Sequence, residues 1–270
     1  MSVIVREPAV AGRFYPGNAD RLRADVESYL SPRSERVRAI ACMAPHAGYM
    51  YSGAVAGAVF ARLHIPGCCI VLCPNHTGRG HPLAIMTEGS WNTPLGPVAV
   101  DSVLANELVK EFPALTEDAA AHQFEHAIEV ELPFLQVCSK DVKFVPIAIG
   151  TGQLVILEQL GASIAGAMQR QQRDALIIAS SDMNHYEDDA TTRVKDRKAI
   201  EKILALDAPG LYETVMNESI SMCGFGPAVS MLTAARHLGA HKAELVQYAT
   251  SADASGDRER VVGYAGVIVR

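Results

Sequence analysis

Three histidines in this chain stand at the same kind of place. Pro45-His46-Ala47-Gly48 follows the apolar run Val37 to Ala44, and Pro74-Asn75-His76 follows Cys68 to Cys73. Ser181-Asp182-Met183-Asn184-His185 follows Ala175 to Ser180. Each run reads as a buried strand, so each strand delivers a histidine at its carboxyl end. Pro and Gly in two of these loops let the backbone turn sharply and approach a ligand closely. A single loop histidine is usually a solvated or hydrogen-bonded side chain. Three at equivalent strand ends predict one shared pocket. Neutral imidazole is the commonest metal-ligand side chain, and two histidines with a third ligand leave open positions on a metal. Asp182 is one candidate for the third ligand. Cys223, in Met222-Cys223-Gly224-Phe225-Gly226-Pro227, is the other. A thiol just before a helix is expected to be acidified by the unpaired N–H groups there. It would then bind a soft metal or act as a nucleophile; the plain alternative is a buried structural thiol.

His122 and His126 are spaced to share one helix face, with the helix running on through Leu135. Gln123 follows the first of them, so the zinc-protease pattern His-Glu-x-x-His is absent. His126 is a candidate to reach the pocket as an acid/base group or as support for a ligand. His64, His81, His237 and His241 have no such context and read as surface residues. Arg13 and Arg79 are candidate partners for an anion. No loop matches a P-loop, a dinucleotide fingerprint or a Gly-x-Ser-x-Gly elbow.

The elements that must position these residues are short apolar strands alternating with helical patterns. Strands are predicted at Val37 to Ala44, Cys68 to Cys73, Val142 to Ile149, Ala175 to Ser180, Ala243 to Ala249 and Val261 to Val269. Helices are predicted at Gly53 to Leu63, Asp101 to Phe112, Leu154 to Gln171, Thr191 to Leu206 and Gly226 to Leu238. Continuous apolar runs suit strands covered on both faces, so the pattern implies a layered α/β fold flanked by helices. The central sheet is expected to be largely parallel, or mixed if the last strand is a hairpin partner. In such sheets ligands bind beyond the carboxyl ends of the strands.

The chain has 270 residues, 49% of them hydrophobic, which is enough for a sizeable core in one domain spanning residues 1–270. The net charge is −6 and no long basic run is present, which argues against nucleic acid. The most basic stretch, Pro32 to Arg38, also carries Glu35 and reads as a solvated loop. No apolar run is long enough to cross a membrane, and the N-terminus lacks the apolar core of a signal peptide. A cytoplasmic, reducing setting is therefore expected. The six cysteines are not spaced as a disulfide framework, and Cys42, Cys68, Cys69 and Cys73 read as small buried hydrophobes.

Several blocks resemble the MEMO family, called AmmeMemoRadiSam system protein B in prokaryotes. They are Arg6-Glu7-Pro8-Ala9-Val10-Ala11-Gly12-Arg13-Phe14-Tyr15-Pro16, Pro45 to Gly53, Pro74-Asn75-His76, Glu125 to Phe134, Ser180 to Tyr186 and Met222-Cys223-Gly224. They run in order over nearly the whole chain. The resemblance implies a fold like that of class III extradiol dioxygenases, in which two histidines and a carboxylate hold iron(II). It places His46 and His76 in the histidine roles and Cys223 where the carboxylate stands. It gives His185 the acid/base role and puts Asp182 in the same pocket. It also implies iron or copper redox chemistry, a link to radical SAM and AMMECR1-like proteins, and phosphotyrosine-peptide recognition in the eukaryotic branch. Three functions follow as expectations. The first is a metal-dependent oxidoreductase on His46, His76 and Cys223, with His185, Asp182 and His126 managing protons. The second is a binding module that holds a small ligand or phosphopeptide without turnover. The third is a zinc-dependent hydrolase, since a His/His/Cys set also suits zinc.

Overall fold

Every residue of Ala41–Ala44, Cys68–Pro74 and Leu176–Ser180 is buried. Such strands can only lie at the centre of a sheet covered on both faces. The computed structural model, which describes residues 4–31 and 35–270, places them there. The terminal residues 1–3 and residues 32–34 of the basic stretch lie outside the described residues.

In chain order the strands are β1 (Val5–Arg6), β2 (Ala41–Ala44), β3 (Cys68–Pro74), β4 (Leu83–Ile85), β5 (Ser90–Thr93) and β6 (Gly96–Ala99). They continue with β7 (Thr116–Glu117), β8 (Lys143–Ile149), β9 (Leu176–Ser180), β10 (His185–Glu187), β11 (Ala243–Thr250) and β12 (Val261–Val269). The main sheet has nine strands in the order β10-β12-β2-β9-β3-β8-β4-β7, with β11 paired to β12. Strands β2, β9, β3 and β8 run parallel to one another. Strand β12 is antiparallel to both β2 and β11, so the sheet is mixed, and the last two long strands form the expected hairpin. A smaller sheet, β1-β5-β6, stands beside it.

The helices are α1 (Ala19–Tyr29), α2 (Tyr49–Ala61), α3 (Ser102–Glu111), α4 (Leu132–Cys138) and α5 (Leu154–Arg170). They are followed by α6 (Asp189–Leu204), α7 (Ala208–Asn217), α8 (Phe225–His237) and α9 (Ala252–Ser255). Among the described residues no helix is long and apolar enough to cross a membrane. Helices α1 and α7 were not expected, although both carry a start signal. Asn18 accepts the N–H of Arg21, and Asp207 accepts that of Gly210 with a proline in the first turn.

The expected helix through His122 and His126 does not form. His122 closes a single 3-10 turn, turns follow, and α4 begins only at Leu132. The reason is a buried arginine. Arg6, on β1, donates from Nε to the carbonyl of His122 (3.1 Å) and from Nη2 to that of Glu125 (2.6 Å), while Nη1 pairs with Glu129. The His122 carbonyl takes the guanidinium and the N–H of Glu125, three residues on (3.3 Å), in place of the N–H four residues on that an α-helix would use. Glu129 in turn accepts the N–H groups of Ala9 (2.8 Å) and Val10 (3.0 Å) and the hydroxyl of Tyr15 (2.6 Å). The guanidinium also lies 4.4 Å from the centre of the Trp91 ring. The Arg6–Glu129 pair is almost wholly buried, with side chains 4% and 0% exposed.

Removing one partner of a buried pair leaves an uncompensated charge. Arg6→Met is expected to lower stability by about 3–5 kcal/mol, read by urea denaturation. A loss below about 1 kcal/mol, the range of an exposed pair, would contradict the role assigned to Arg6.

Candidate functional site

The pocket lies where the central parallel strands end. His46 comes two residues after β2 and His76 two residues after β3. Between them, β9 ends at Ser180 and runs into Ser181 and Asp182. Cys223 arrives from the other direction, two residues before α8. One donor atom each from His46, His76 and Cys223 lies within 4.8 Å of the others. His46 is buried, Cys223 is half-buried and His76 is exposed, so the group opens to solvent on the His76 side.

Each histidine is fixed from behind. His46 Nδ1 is 2.9 Å from Ser180 Oγ, and His46 Nε2 faces Cys223 Sγ at 3.3 Å. His76 donates twice to one carboxylate, from its backbone N–H to Glu125 Oε2 (2.6 Å) and from Nδ1 to Glu125 Oε1 (2.9 Å). An ionised carboxylate only accepts, so Nδ1 of His76 carries a proton, and in the neutral ring the Nε2 lone pair is the free one. Burial alone would raise the Glu125 carboxyl. The hydrogen bond from His76, the nearby His76 and His126 rings and the N–H of Ala127 outweigh it and hold Glu125 below the usual carboxylate range.

Burial, reinforced by mutual repulsion with His126, His76 and His185, pushes His46 well below the ordinary histidine value. It is therefore a neutral ring with a lone pair to offer. His126 reaches the pocket, although not on a helix. It stacks on His76 with ring centres 4.8 Å apart, and its Nδ1 is 3.4 Å from Glu125 Oε1. Burial lowers it, with Glu125 opposing. His122 points elsewhere; it is fully buried against Trp91 at 5.6 Å between ring centres. His185 sits on β10 rather than directly at the end of β9. Its Nδ1 donates to the carbonyl of Ser221 (2.9 Å), which leaves Nε2 as the free nitrogen. Burial lowers its pKa as well.

Asp182 holds the His46 loop, its Oδ1 accepting the N–H of His46 at 2.8 Å. Burial pushes its carboxyl up to about 7, against hydrogen bonds from the N–H groups of His46 and Ala47. The thiol of Cys223 is not acidified as its place before α8 suggested. Burial raises it well above the ordinary value, the Asp182 carboxylate adds to this, and the N–H of Gly224 only partly opposes. A bound cation is what would favour the thiolate here. Arg13 and Arg79 are exposed, and Arg79 lies over the ring of Phe124 at 4.6 Å. His64, His81, His237 and His241 are exposed, as expected.

Glu125 and Glu131 were not singled out by sequence reasoning, and Ser180 stood near the predicted site only as a hydroxyl without a nucleophile signature. All three are fully buried and stand directly behind the histidines. The signal available was the run Glu125, Glu129, Glu131 amid apolar residues. Three carboxylates in a buried segment each need partners. The second His/carboxylate group, His76, Glu125 and His126, shares His76 with the first.

This donor set fits a metal. Two imidazoles with their Nδ1 sides held present free Nε2 lone pairs beside one sulfur, and a half-open mouth leaves room for further ligands.

A sequence profile described as "Memo-like protein" matches residues 6–268. A MEMO1 family protein of Methanopyrus kandleri is 41% identical, over 98% of this chain and 99% of its own length. One of Pyrobaculum aerophilum is 42% identical, over 98% of each chain. One of Methanosarcina barkeri is 41% identical, over 98% of this chain and 100% of its own. Among solved structures, an uncharacterized protein of Escherichia coli K12 superposes with a TM-score of 0.58 at 14% identity. The match covers 84% of this chain and 98% of that one, and it speaks to the fold alone.

Gly224 is where α8 touches the sheet edge. A Cβ there would lie 2.4 Å from Ser181 Cβ and 2.5 Å from the carbonyl of Ser180. Gly224→Ala is expected to push Cys223 away from His46 and to cost about 1–3 kcal/mol of stability. The sulfur's displacement would be read as faster alkylation of Cys223 than in the parent protein. Unchanged alkylation and unchanged stability together would contradict the close approach.

Proposed function

Because the chain belongs to the Memo-like family, we propose that His46, His76 and Cys223 hold a redox-active metal, iron(II) or copper, and that the protein is a metal-dependent oxidoreductase. The observation that carries this reading is the convergence of two outer-held histidines on one thiol at the open edge of the sheet. Iron or copper bound there would supply Lewis acidity and electron exchange, with positions left for substrate.

The chain's own residues do the rest. Ser180 and Glu125 keep the two rings oriented, with their Nδ1 atoms engaged. His185, with Nδ1 tied to Ser221, offers Nε2 as the acid/base group for a substrate proton. Asp182, raised to about 7, can hold or release a proton near neutral pH while its carboxyl keeps the His46 loop in place. His126, stacked on His76, packs one side of the pocket and shares the Glu125 carboxylate. The substrate, a small molecule or a peptide, would enter on the exposed His76 side.

Cys223 sets this pocket apart from a site with two histidines and a carboxylate. A thiolate donates more charge, favours softer ions such as copper(I), and is readily oxidised. That chemistry supports a reducing, cytoplasmic setting. Participation in one pathway with radical SAM and AMMECR1-like proteins belongs to the same proposal.

The test is anaerobic titration of metal-free protein with iron(II), copper(I) and zinc(II). About one redox-active ion per chain is expected, lost in His46→Ala and in Cys223→Ala. Unchanged stoichiometry in His46→Ala would overturn the assignment. Protein isolated with stoichiometric zinc and no redox-active metal would favour hydrolysis instead.

A further inference from the structure

Glu131 is a buried carboxyl that no step above uses. It is 0% exposed, and its Oε2 has no hydrogen-bond partner. Its other oxygen, Oε1, lies 3.2 Å from Ser180 Oγ. The same hydroxyl is 2.7 Å from the carbonyl of Ala127 and 2.9 Å from His46 Nδ1. Ser180 is thus a three-way junction between a candidate ligand, a backbone carbonyl and an acid.

The hydrogens at that junction can be counted. A serine hydroxyl has one hydrogen and two lone pairs. The carbonyl of Ala127 can only accept, and at 2.7 Å it has the shorter of the two oxygen contacts, so it takes the Ser180 hydrogen. Both lone pairs of Ser180 are then free to accept. His46 Nδ1–H fills one, and only an O–H on Glu131 Oε1 can fill the other. If Glu131 were ionised, Ser180 would have one hydrogen for two acceptors. An ionised, buried Oε2 would also stand without any donor, which is costly. With the proton on Oε1, all three contacts of Ser180 are satisfied at once.

We propose that Glu131 is a positioning residue, a neutral carboxylic acid whose O–H, through Ser180, keeps the proton of His46 on Nδ1 and its Nε2 lone pair toward Cys223. Burial, which raises Glu131 well above the ordinary carboxylate range, agrees with the neutral form. The two candidate ligands are therefore backed differently. His76 is supported by an ionised carboxylate and His46 by a hydroxyl relayed to a protonated one. Ionised Glu125 makes His76 the stronger donor, whereas the neutral relay to His46 leaves that ring oriented with no added charge. The part of this that concerns a metal rests on the function proposed above. The hydrogen pattern does not, and it is present in metal-free protein.

The experiment therefore begins without metal. Infrared difference spectra of wild type minus Glu131→Gln at neutral pH should show the carbonyl band of a protonated carboxylic acid. A carboxylate band in its place would overturn the proposal. Nitrogen-15 NMR of the histidine side chains should show His46 with its proton on Nδ1 in wild type. Glu131→Gln should keep that tautomer, because the amide N–H can replace the acid O–H. Glu131→Met should lose the single tautomer and, with metal added, weaken binding about 10–100-fold. Retention of both tautomer and affinity in Glu131→Met would overturn the role. If Glu131→Met does not fold, the infrared result and the Glu131→Gln tautomer still decide. A protein that binds no metal but shows the acid band and the Nδ1 tautomer would refute the metal reading and leave the hydrogen pattern standing.

Discussion

The Arg6–Glu129 pair fastens the N-terminal strand to the segment that carries the support groups of the pocket. Arg6 takes the carbonyls of His122 and Glu125, and Glu129 takes the N–H groups of Ala9 and Val10 and the hydroxyl of Tyr15. The segment between is thereby kept out of a helix. Within about two turns' length of chain it presents Glu125 to His76, the ring of His126 to the pocket, and both the Ala127 carbonyl and Glu131 to Ser180. A helix would spread those groups around its circumference. A buried ion pair of this kind is weak grounds for stability, but it can fix one conformation over others. Here the conformation it fixes is the outer wall of the site.

The sheet and this segment do different work. Parallel strands β2, β9 and β3 place His46, Ser180 and His76 side by side at one edge. That edge fixes the backbone but not the direction or protonation of the rings. Ring direction comes from the segment, through Ser180 on one side and Glu125 on the other. Cys223 is delivered by a third device, the glycine contact that lets α8 begin against Ser180 and Ser181. Burial keeps the His46 imidazole neutral and the Cys223 thiol protonated until a cation is present.

These devices differ in how plainly the sequence displays them. The central strands are legible because strands buried on both faces are unbroken apolar runs, and the histidines stand two residues past two of their ends. The short strands β5 to β7 carry no such run, and that of β4 is only three residues long; Ser90–Thr93, for example, alternates half-buried and buried positions. Cys223 was ambiguous on local grounds, and the resemblance alone put it beside His46. The spacing of His122 and His126 suggested a helix because the competing partner, Arg6, lies 116 residues away from His122. Glu125 and Glu131, and the part Ser180 plays, were missed for the same reason. Their roles depend on hydrogen bonds between distant parts of the chain, and a local pattern does not encode those. Asn18 and Asp207, by contrast, are local capping signals for helices that the apolar pattern alone did not reveal.

The central claim is that one sulfur and two imidazole nitrogens converge on a single ion. X-ray absorption of metal-loaded protein measures this directly. One sulfur scatterer and two imidazole nitrogens are expected in the first shell, with the sulfur shell absent in Cys223→Ser. A shell of nitrogen and oxygen only, unchanged in Cys223→Ser, would contradict it.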